Sequence, residues 1–294
     1  MPDPSVRTVS KWPPHDVTML SDDDDILTDM RVGEEIFIAN KDINLDNPPA
    51  TGDLYWKGVI DSMHRIPKKK GCMFIVKWFY SKEDVVTLLK MDTNTKVAVD
   101  AFGEHELTLS DHKDVIDSLT CQSDIIVHVF NDNDYLREHI EKGWWYQRII
   151  LKTNNPSARV KGVNLHCTCQ TPYNPNVDIQ RFCIQCSHWY DADCLRRASD
   201  GSVLPFTRSE SILVKVAKMP IIRGCLKGQD NWSLVGSGPS VVKAKEWVHA
   251  LETDDNFILP PEWRDQLVKN LLDFVADTTF TTFPCPECGE DTLI

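Results

Sequence analysis

Seven of the ten cysteines in this 294-residue chain lie in clusters, and their spacing constrains the fold more than any other feature. Five of them fall between Cys167 and Cys194, and the sequence CPEC supplies Cys285 and Cys288 near the C-terminus. Thiolates at such spacings suit tetrahedral zinc, whereas disulfides between cysteines one or two residues apart would close strained loops. The clusters therefore predict a zinc domain assembled from two distant segments, in a reducing compartment.

The order of these cysteines resembles that of a PHD finger. Four cysteines precede one uncertain ligand position and three follow it, whereas a RING finger has three cysteines, then a histidine, then four ligands. The resemblance implies a cross-brace finger in which the ligands of two zinc ions interleave along the chain. One ion would be held by Cys167, Cys169, the uncertain residue and Cys194, and the other by Cys183, Cys186, Cys285 and Cys288.

The uncertain ligand is an acidic residue or a histidine. The position of the family's histidine carries Asp191 here, and a carboxylate oxygen can also ligate zinc. His188, three residues earlier, is the alternative, and His166 beside Cys167 is a third candidate. Asp191 is the favoured assignment.

The same resemblance raises the question of a methyl-lysine site in the finger. Its aromatic residues would be Tyr173 and Trp189, but a tryptophan at the second position is common in the family whatever the ligand. Asn176 and Val177 stand where an acidic residue is usual. The sequence therefore favours a finger with a structural role over one that makes a second histone contact.

The region before the cysteines reads as short strands. The segments EEIFIAN, DLYWKGVIDSM, CMFIVKWFY and DIIVHVF are rich in β-branched and aromatic residues and are bounded by turn-forming residues. This pattern predicts a mostly β domain with a partly closed, barrel-like sheet. The blocks KWFY and ELTLSDHKDV, in that order, resemble the BAH domains of short BAH–PHD chromatin readers in plants and fungi.

In CMFIVKWFY, alternation places Trp78 and Tyr80 on one face of the strand, where they could pack in the core or wall a pocket. The BAH resemblance implies that Tyr55, Trp78 and Tyr80 form an aromatic cage around trimethylated lysine. A quaternary ammonium cannot donate hydrogen bonds but is attracted to aromatic faces. His112 and Asp114 match positions that contact the flank of the peptide in that family, and the alternative for each is a structural polar group.

These observations divide the chain into four regions. The expected fold is mostly β with some α: a disordered acidic tail, a BAH domain, and a PHD-like finger interrupted by a helical insertion. Apolar residues at helical spacing in GPSVVKAKEWVHAL and PPEWRDQLVKNLLDFVA predict the helices of that insertion. The expected boundaries are 1–28 for the tail, 29–155 for the BAH domain, 163–200 with 281–292 for the finger, and 201–280 for the insertion.

Charge and motifs limit the function. The net charge of −12 makes the chain a poor general binder of nucleic acid, and no run of 18 apolar residues predicts a membrane span. Nucleotide-loop and nucleophile-elbow motifs are absent from the sequence, which favours a non-enzymatic protein. The resemblance implies a nuclear reader of the histone H3 tail, with trimethylated lysine 27 as the best candidate mark and a chromatin-silencing complex as partner. The alternative is a scaffold whose BAH domain binds a protein partner independently of methylation.

Overall fold

A computed structural model gives the fold as two compact units. The first unit comprises Met1–Phe130 with Trp144–Val163, and the second comprises Asn131–Gly143 with Asn164–Ile294. The expected BAH domain, 29–155, thus includes a short segment that the structure groups with the second unit. The residues that the structure describes are 4–15, 17–22, 25–40, 43, 52–68, 71–88, 90–131, 133–136, 143–153, 159–161, 165, 167–203, 211–225, 234–267 and 281–294.

The first unit is mostly β, as the strand-like segments predict. Its helices are α1 (Val6–Val9), α2 (Lys82–Leu88) and α3 (Thr93–Asp100). Its strands are β1 (Val17–Asp22), β2 (Asp25–Arg31), β3 (Glu35–Ile38), β4 (Trp56–Arg65), β5 (Cys72–Tyr80), β6 (Glu106–Asp117), β7 (Cys121–Asp124), β8 (Val127–Val129), β9 (Trp145–Lys152) and β10 (Arg159–Lys161).

Eight of these strands form one sheet in the order β10-β9-β6-β5-β4-β3-β7, with β8 paired to β9. The pairings are antiparallel except for those of β9 with β6 and with β8, which are parallel. Among the described residues, the strands at the two ends of this order do not pair with each other, so the sheet is barrel-like without being closed.

Strand β5 has apolar side chains buried on both of its faces, which explains its nearly continuous hydrophobic sequence. Phe74, Val76, Trp78 and Tyr80 belong to one hydrophobic cluster. Phe79 belongs to another, with Leu107, Ile125 and Val127. The sheet therefore has two distinct apolar sides, and the side on which a residue lies decides which neighbours it can contact.

The N-terminal region differs from the expected disordered tail. Within 1–28, the described residues include α1, β1 and the start of β2, and β1 pairs antiparallel with β2. Val9 is fully buried, and the amide of His15 donates a hydrogen bond to the Met63 carbonyl, with N and O 3.0 Å apart. Burial of Val9 and this pairing with β4 are long-range contacts, which the proline-rich local sequence does not encode.

The second unit contains short strands and helices around the cysteines. Its strands are β11 (Ile179–Cys183), β12 (His188–Asp191), β13 (Ser202–Val203), β14 (Ile221–Cys225), β15 (Leu234–Gly236), β16 (Thr281–Thr282), β17 (Pro284–Cys285) and β18 (Gly289–Leu293). Its helices are α4 (Ala192–Ala198), α5 (Ile212–Lys218) and α6 (Gly238–Thr253).

The insertion is not purely helical. Helix α6 matches the first predicted helix and buries Val241, Ala244 and Trp247. The second predicted helix begins as turns at 261–266, and residues 268–276 of that prediction lie outside the described residues. Two unpredicted strands, β14 and β15, extend the finger's own sheet to the order β12-β11-β14-β15. The β-branched start of IIRGC favours this strand.

No helix within the described ranges is long and apolar enough to span a membrane.

Candidate functional site

The two cysteine clusters predicted from the sequence assemble in the second unit. In each cluster the four potential ligand atoms all lie within 4.8 Å of one another. One cluster consists of Cys183, Cys186, Cys285 and Cys288, and the other consists of Cys167, Cys169, Asp191 and Cys194. Segments about 100 residues apart in the chain thus supply one site, in the interleaved order of a cross-brace finger. The described cysteine side chains in both clusters are free thiols.

The four-cysteine cluster has the dimensions of a zinc tetrahedron. The Sγ atoms of Cys183 and Cys288 are 3.8 Å apart, as are those of Cys186 and Cys285. Four sulfurs each about 2.3 Å from a zinc ion would be separated by about 3.8 Å. The donors present therefore fit zinc in both chemistry and spacing.

Tight turns hold this cluster. Between β11 and β12, Ser187 adopts a positive φ of 60°, and its amide donates to the Cys183 carbonyl at 2.8 Å. Between β17 and β18, the amide of Cys288 donates to the Cys285 Sγ at 3.4 Å. Each turn therefore brings the two cysteines of a C-x-x-C pair to one side, as a metal site requires.

The second cluster contains the predicted acidic residue. Asp191 Oδ2 lies 2.9 Å from the Cys169 Sγ, and the Asp191 amide donates to the Cys167 Sγ at 3.3 Å. A tetrahedral zinc site with one oxygen ligand would separate that oxygen and sulfur by about 3.5 Å. This cluster is thus slightly tighter than a metal-bound site, and it fits a metal less closely than the four-cysteine cluster.

The described rival ligand, His188, lies elsewhere. His188 Nδ1 is 2.6 Å from the Glu287 carboxylate, which also accepts a hydrogen bond from the Tyr190 hydroxyl at 3.0 Å. The potential ligand atom of His188 lies close to those of Cys186 and Glu287. His188 is therefore next to the four-cysteine cluster, to which Cys186 belongs. His166 lies outside the described residues. Of the two described candidates, Asp191 and His188, the structure brings Asp191 into the first cluster.

Two hydrogen-bonded side chains, that of Gln180 and that of Arg223 from the insertion, orient the Asp191 carboxylate. Gln180 Nε2 donates to Asp191 Oδ1 at 2.8 Å. Gln180 Oε1 in turn accepts two hydrogen bonds from Arg223 of β14, at 3.0 Å from Nε and 2.6 Å from Nη2. Outer partners of this kind fix the orientation of a ligand. The sequence contained no local signal for this relay, because Gln180 and Arg223 are distant in the chain.

The two predicted aromatic residues of the finger also come together. Tyr173 and Trp189 are both buried, and the guanidinium of Arg223 lies 4.1 Å from the Tyr173 ring centre and 4.3 Å from that of Trp189.

In the first unit, Trp78 and Tyr80 lie on the same side of β5, as alternation predicts. Both are nearly buried at 8% exposure. The ring of Trp56, which is 53% exposed, meets Trp78 edge to face at a centroid distance of 5.5 Å. Gly58 pairs with Trp78 across the strands, and a Cβ on Gly58 would lie only 3.2 Å from the Ile38 side chain and 3.1 Å from the Lys77 carbonyl oxygen, so the strands pack closely here. Trp56 thus makes an exposed wall next to two buried aromatic residues.

Tyr55 lies apart from these residues. Its ring packs on Phe37 at a centroid distance of 5.6 Å, and Phe37 pairs across the strands with Lys57. Because neighbouring residues alternate between faces of a strand, Phe37 and Lys57 lie opposite Trp56 and Gly58. The structure therefore brings together Trp56, Trp78 and Tyr80. The resemblance implied Tyr55 as the third residue, and Trp56 was not considered from the sequence.

His112 and Asp114 both lie near Tyr80. The Tyr80 hydroxyl is 2.6 Å from His112 Nδ1, and the two rings are nearly parallel. The pKa of Tyr80 is raised by burial and by the negative charges of Asp84 and Asp114. Negatively charged side chains therefore lie near the aromatic residues, and the hydrogen bond with His112 orients the Tyr80 ring.

A buried lysine occupies the opposite side of the sheet. Lys57 Nζ lies 4.1 Å from the Trp145 ring centre and 5.7 Å from that of Phe37, and it donates to the Tyr55 carbonyl at 3.0 Å. Burial lowers the pKa of this lysine to about 8, an effect that Asp53 and Asp84 partly offset. The sequence pattern did not single out this residue.

A mostly β unit with BAH-type sequence blocks, followed in the chain by a cysteine cross-brace, has the organisation of BAH–PHD chromatin proteins. The chain is similar to the chromatin remodeling protein EBS of Arabidopsis thaliana, with 34% identity over 93 residues. This similarity confirms the resemblance predicted from the sequence. It covers 32% of this chain and 39% of EBS, so the chain spans about two-fifths of the length of that relative.

Two further comparisons add less. The structure is similar to the crystal structure of the yeast Rsc2 BAH domain, with a TM-score of 0.32 and 10% identity, over 54% of this chain and 57% of that one. A likeness at this level carries no argument for function. No protein-family model matches the chain.

Proposed function

We propose that this protein is a non-enzymatic, nuclear chromatin reader whose first unit binds a trimethylated lysine of the histone H3 tail. The observation that carries the proposal is the aromatic group formed by Trp56, Trp78 and Tyr80. Trp56 replaces Tyr55 as the third wall of the cage, because Tyr55 packs on Phe37 instead. Trimethylated lysine 27, in a Polycomb-type silencing complex, is the best candidate mark.

The chemistry of the group suits a methylated ammonium. Such a cation makes no hydrogen bonds, and each aromatic face attracts it by roughly 0.5–2 kcal/mol when water is excluded. Asp84 and Asp114, which raise the pKa of Tyr80, add a negative field near the same rings. A basic histone tail therefore meets complementary charge as well as aromatic surface.

The acidic side chains have distinct surroundings. Asp84 is held at the start of α2, where its carboxylate accepts from the Ser81 amide at 2.9 Å. Asp114 Oδ1 accepts from the Val115 amide at 2.8 Å. Asp114 remains the candidate for contact with the peptide flank, and His112 acts through its hydrogen bond to Tyr80.

We further propose that the second unit holds two zinc ions as a PHD-like finger. Cys183, Cys186, Cys285 and Cys288 would hold one ion, and Cys167, Cys169, Asp191 and Cys194 would hold the other. Zinc supplies folding energy at such a site rather than catalysis. The finger then serves as structural support, with domain limits close to 29–155 for the BAH domain and 163–200 with 281–292 for the finger.

The test is calorimetric titration with histone H3 tail peptides. Peptides trimethylated at lysine 27, trimethylated at lysine 4 and unmodified are compared on the wild type and on Trp56→Ala. We expect the lysine 27 peptide to bind the wild type with micromolar affinity, and we expect about tenfold or greater weakening in the variant. Because Trp56 is exposed, the variant should unfold at nearly the wild-type temperature.

Two other results would reject the proposal. Equal affinity for methylated and unmodified peptides would show that no methyl-lysine cage is at work. Binding of a protein partner without dependence on methylation would favour the scaffold alternative, in which the aromatic group serves another contact.

A further inference from the structure

The aromatic pair of the finger has a cation between its rings. Arg223 is 6% exposed, and its guanidinium lies 4.1 Å from the centre of the Tyr173 ring and 4.3 Å from that of Trp189. Tyr173 and Trp189 are 2% and 5% exposed. Arginine keeps its charge under all ordinary conditions, so the two rings enclose a permanent cation from the chain itself.

The strand that carries Arg223 pairs with an edge of the finger's sheet, in the position that a bound peptide strand would take. Strand β14 pairs antiparallel with β11, with Arg223 opposite Gln180 and Gly224 opposite Ile179. The other edge of β11 pairs with β12. A peptide that bound the finger by adding a strand to β11 would need an edge that β14 already covers.

Two further contacts seat this strand. A Cβ on Gly224 would lie 2.8 Å from the Asp178 carbonyl oxygen, so a glycine is required for β14 to approach so closely. The buried Ser237 Oγ accepts from the Ile222 amide at 2.8 Å, and the Ser237 amide donates to the Ile222 carbonyl at 2.9 Å. The strand is therefore anchored on both sides of Arg223.

From these contacts we infer that Tyr173 and Trp189 form a cation-binding site of the finger whose resident ligand is Arg223 of the insertion. The insertion strand occupies both the aromatic site and the sheet edge that an external cationic peptide would use. In the wild-type protein this site is therefore closed to methyl-lysine and arginine peptides, and it accepts a compact cation only when Arg223 is removed. This inference does not depend on the proposed function of the first unit.

The test replaces the arginine and offers free cations to the site. The full zinc-loaded chain is prepared as wild type, Arg223→Ala and Arg223→Met, and each is titrated with methylguanidinium chloride. Sodium chloride at equal ionic strength is the control for salt. The Trp189 indole NH signal and the thermal midpoint are followed. Methionine is the matched control because it fills the space between the rings without a charge.

We expect Arg223→Ala to unfold several degrees below the wild type. Methylguanidinium should then shift the Trp189 signal of this variant saturably and raise its midpoint, whereas the wild type and Arg223→Met should respond no more than they do to sodium chloride. Failure of Arg223→Ala to respond beyond the salt control would overturn the inference.

A second measurement decides the case if Arg223→Ala no longer holds its finger fold. In the wild type, the Arg223 Nε–H signal should be displaced by the ring currents of two aromatic faces and should exchange slowly with water. A signal at the position of a solvent-exposed arginine, with fast exchange, would overturn the inference on the native protein itself.

Discussion

Two aromatic groups in this chain use the same chemistry and differ in what fills them. In the first unit, Trp56 is half exposed beside the buried Trp78, with acidic residues near Tyr80. In the second unit, Tyr173 and Trp189 are buried around Arg223. An aromatic pair therefore marks affinity for a cation, but the source of that cation depends on which distant segment packs against it.

Removal of metal from the finger should have the largest effect on the stability of the second unit. A structural zinc site contributes on the order of 10 kcal/mol to folding. We expect a chelator to abolish the ordered core of the second unit, including the contact of Arg223 with Tyr173 and Trp189. The sheet of the first unit contains none of the clustered cysteines and should keep its slowly exchanging amides.

Amide hydrogen exchange measured before and after chelation checks this prediction. Protection of β4 and β5 is the internal control. Retention of protection in β11 and β12 at full chelation would contradict a zinc-dependent finger.

The next largest effects distinguish the roles of the neighbouring residues Tyr55 and Trp56 in stability and in peptide binding. Tyr55→Leu removes a buried ring that packs on Phe37, so it should lower the free energy of unfolding by about 1–3 kcal/mol. It should leave the affinity for a trimethyl-lysine peptide within about twofold, since its ring lies away from Trp78. Denaturant unfolding and calorimetry on Tyr55→Leu and Trp56→Ala measure both quantities. Loss of peptide affinity in Tyr55→Leu, with unchanged affinity in Trp56→Ala, would instead support Tyr55 as a residue of the cage.

Lys57 offers a contrast with Arg223, because a buried lysine can lose its proton and a buried arginine cannot. The pKa of Lys57 is about 8 in the folded protein, below the ordinary value of 10.5. Between these values the unfolded chain binds more protons, so the free energy of unfolding rises with pH through this window. The cost of burying the charge is greatest below pH 8.

Comparison with Lys57→Met isolates the contribution of Lys57 to the pH dependence of stability, because the other groups titrate alike in both proteins. Between pH 7 and pH 10, the stability difference should move in favour of the wild type by roughly 2–3 kcal/mol. Urea unfolding at several pH values measures it. A difference that does not vary with pH would show that Lys57 keeps its proton in the folded state.

The smallest expected effect concerns the charge around Tyr80. Asp84 and Asp114 lie near this residue, and neutralising one exposed charge changes binding by about 0.5–1 kcal/mol. Asp114→Asn should therefore weaken a trimethyl-lysine peptide about two- to fivefold, and the loss should shrink at high salt. Calorimetry at two salt concentrations checks this. A salt-independent loss would point to a direct hydrogen bond with the peptide instead.

Short-range patterns predicted much of this molecule correctly. Residue alternation placed Trp78 and Tyr80 on one face of β5, and helical spacing located α6. Trp56 was not considered from the sequence, although a shift of one residue moves a side chain to the other face of a strand. The resemblance named Tyr55, whose ring packs on Phe37 in the structure, and the binding test on Tyr55 and Trp56 decides between the two residues.

The sequence by itself determined the composition of the sites: the number and order of the cysteines, the acidic substitute at Asp191, and the strand pattern of the first unit. Only the tertiary structure decided which residues meet. It packed Tyr55 on Phe37, brought Asp191 rather than His188 to the first cluster, and placed Arg223 between Tyr173 and Trp189. Local periodicity reports the direction of a side chain, whereas these contacts join segments far apart in the chain and depend on packing that no local pattern contains.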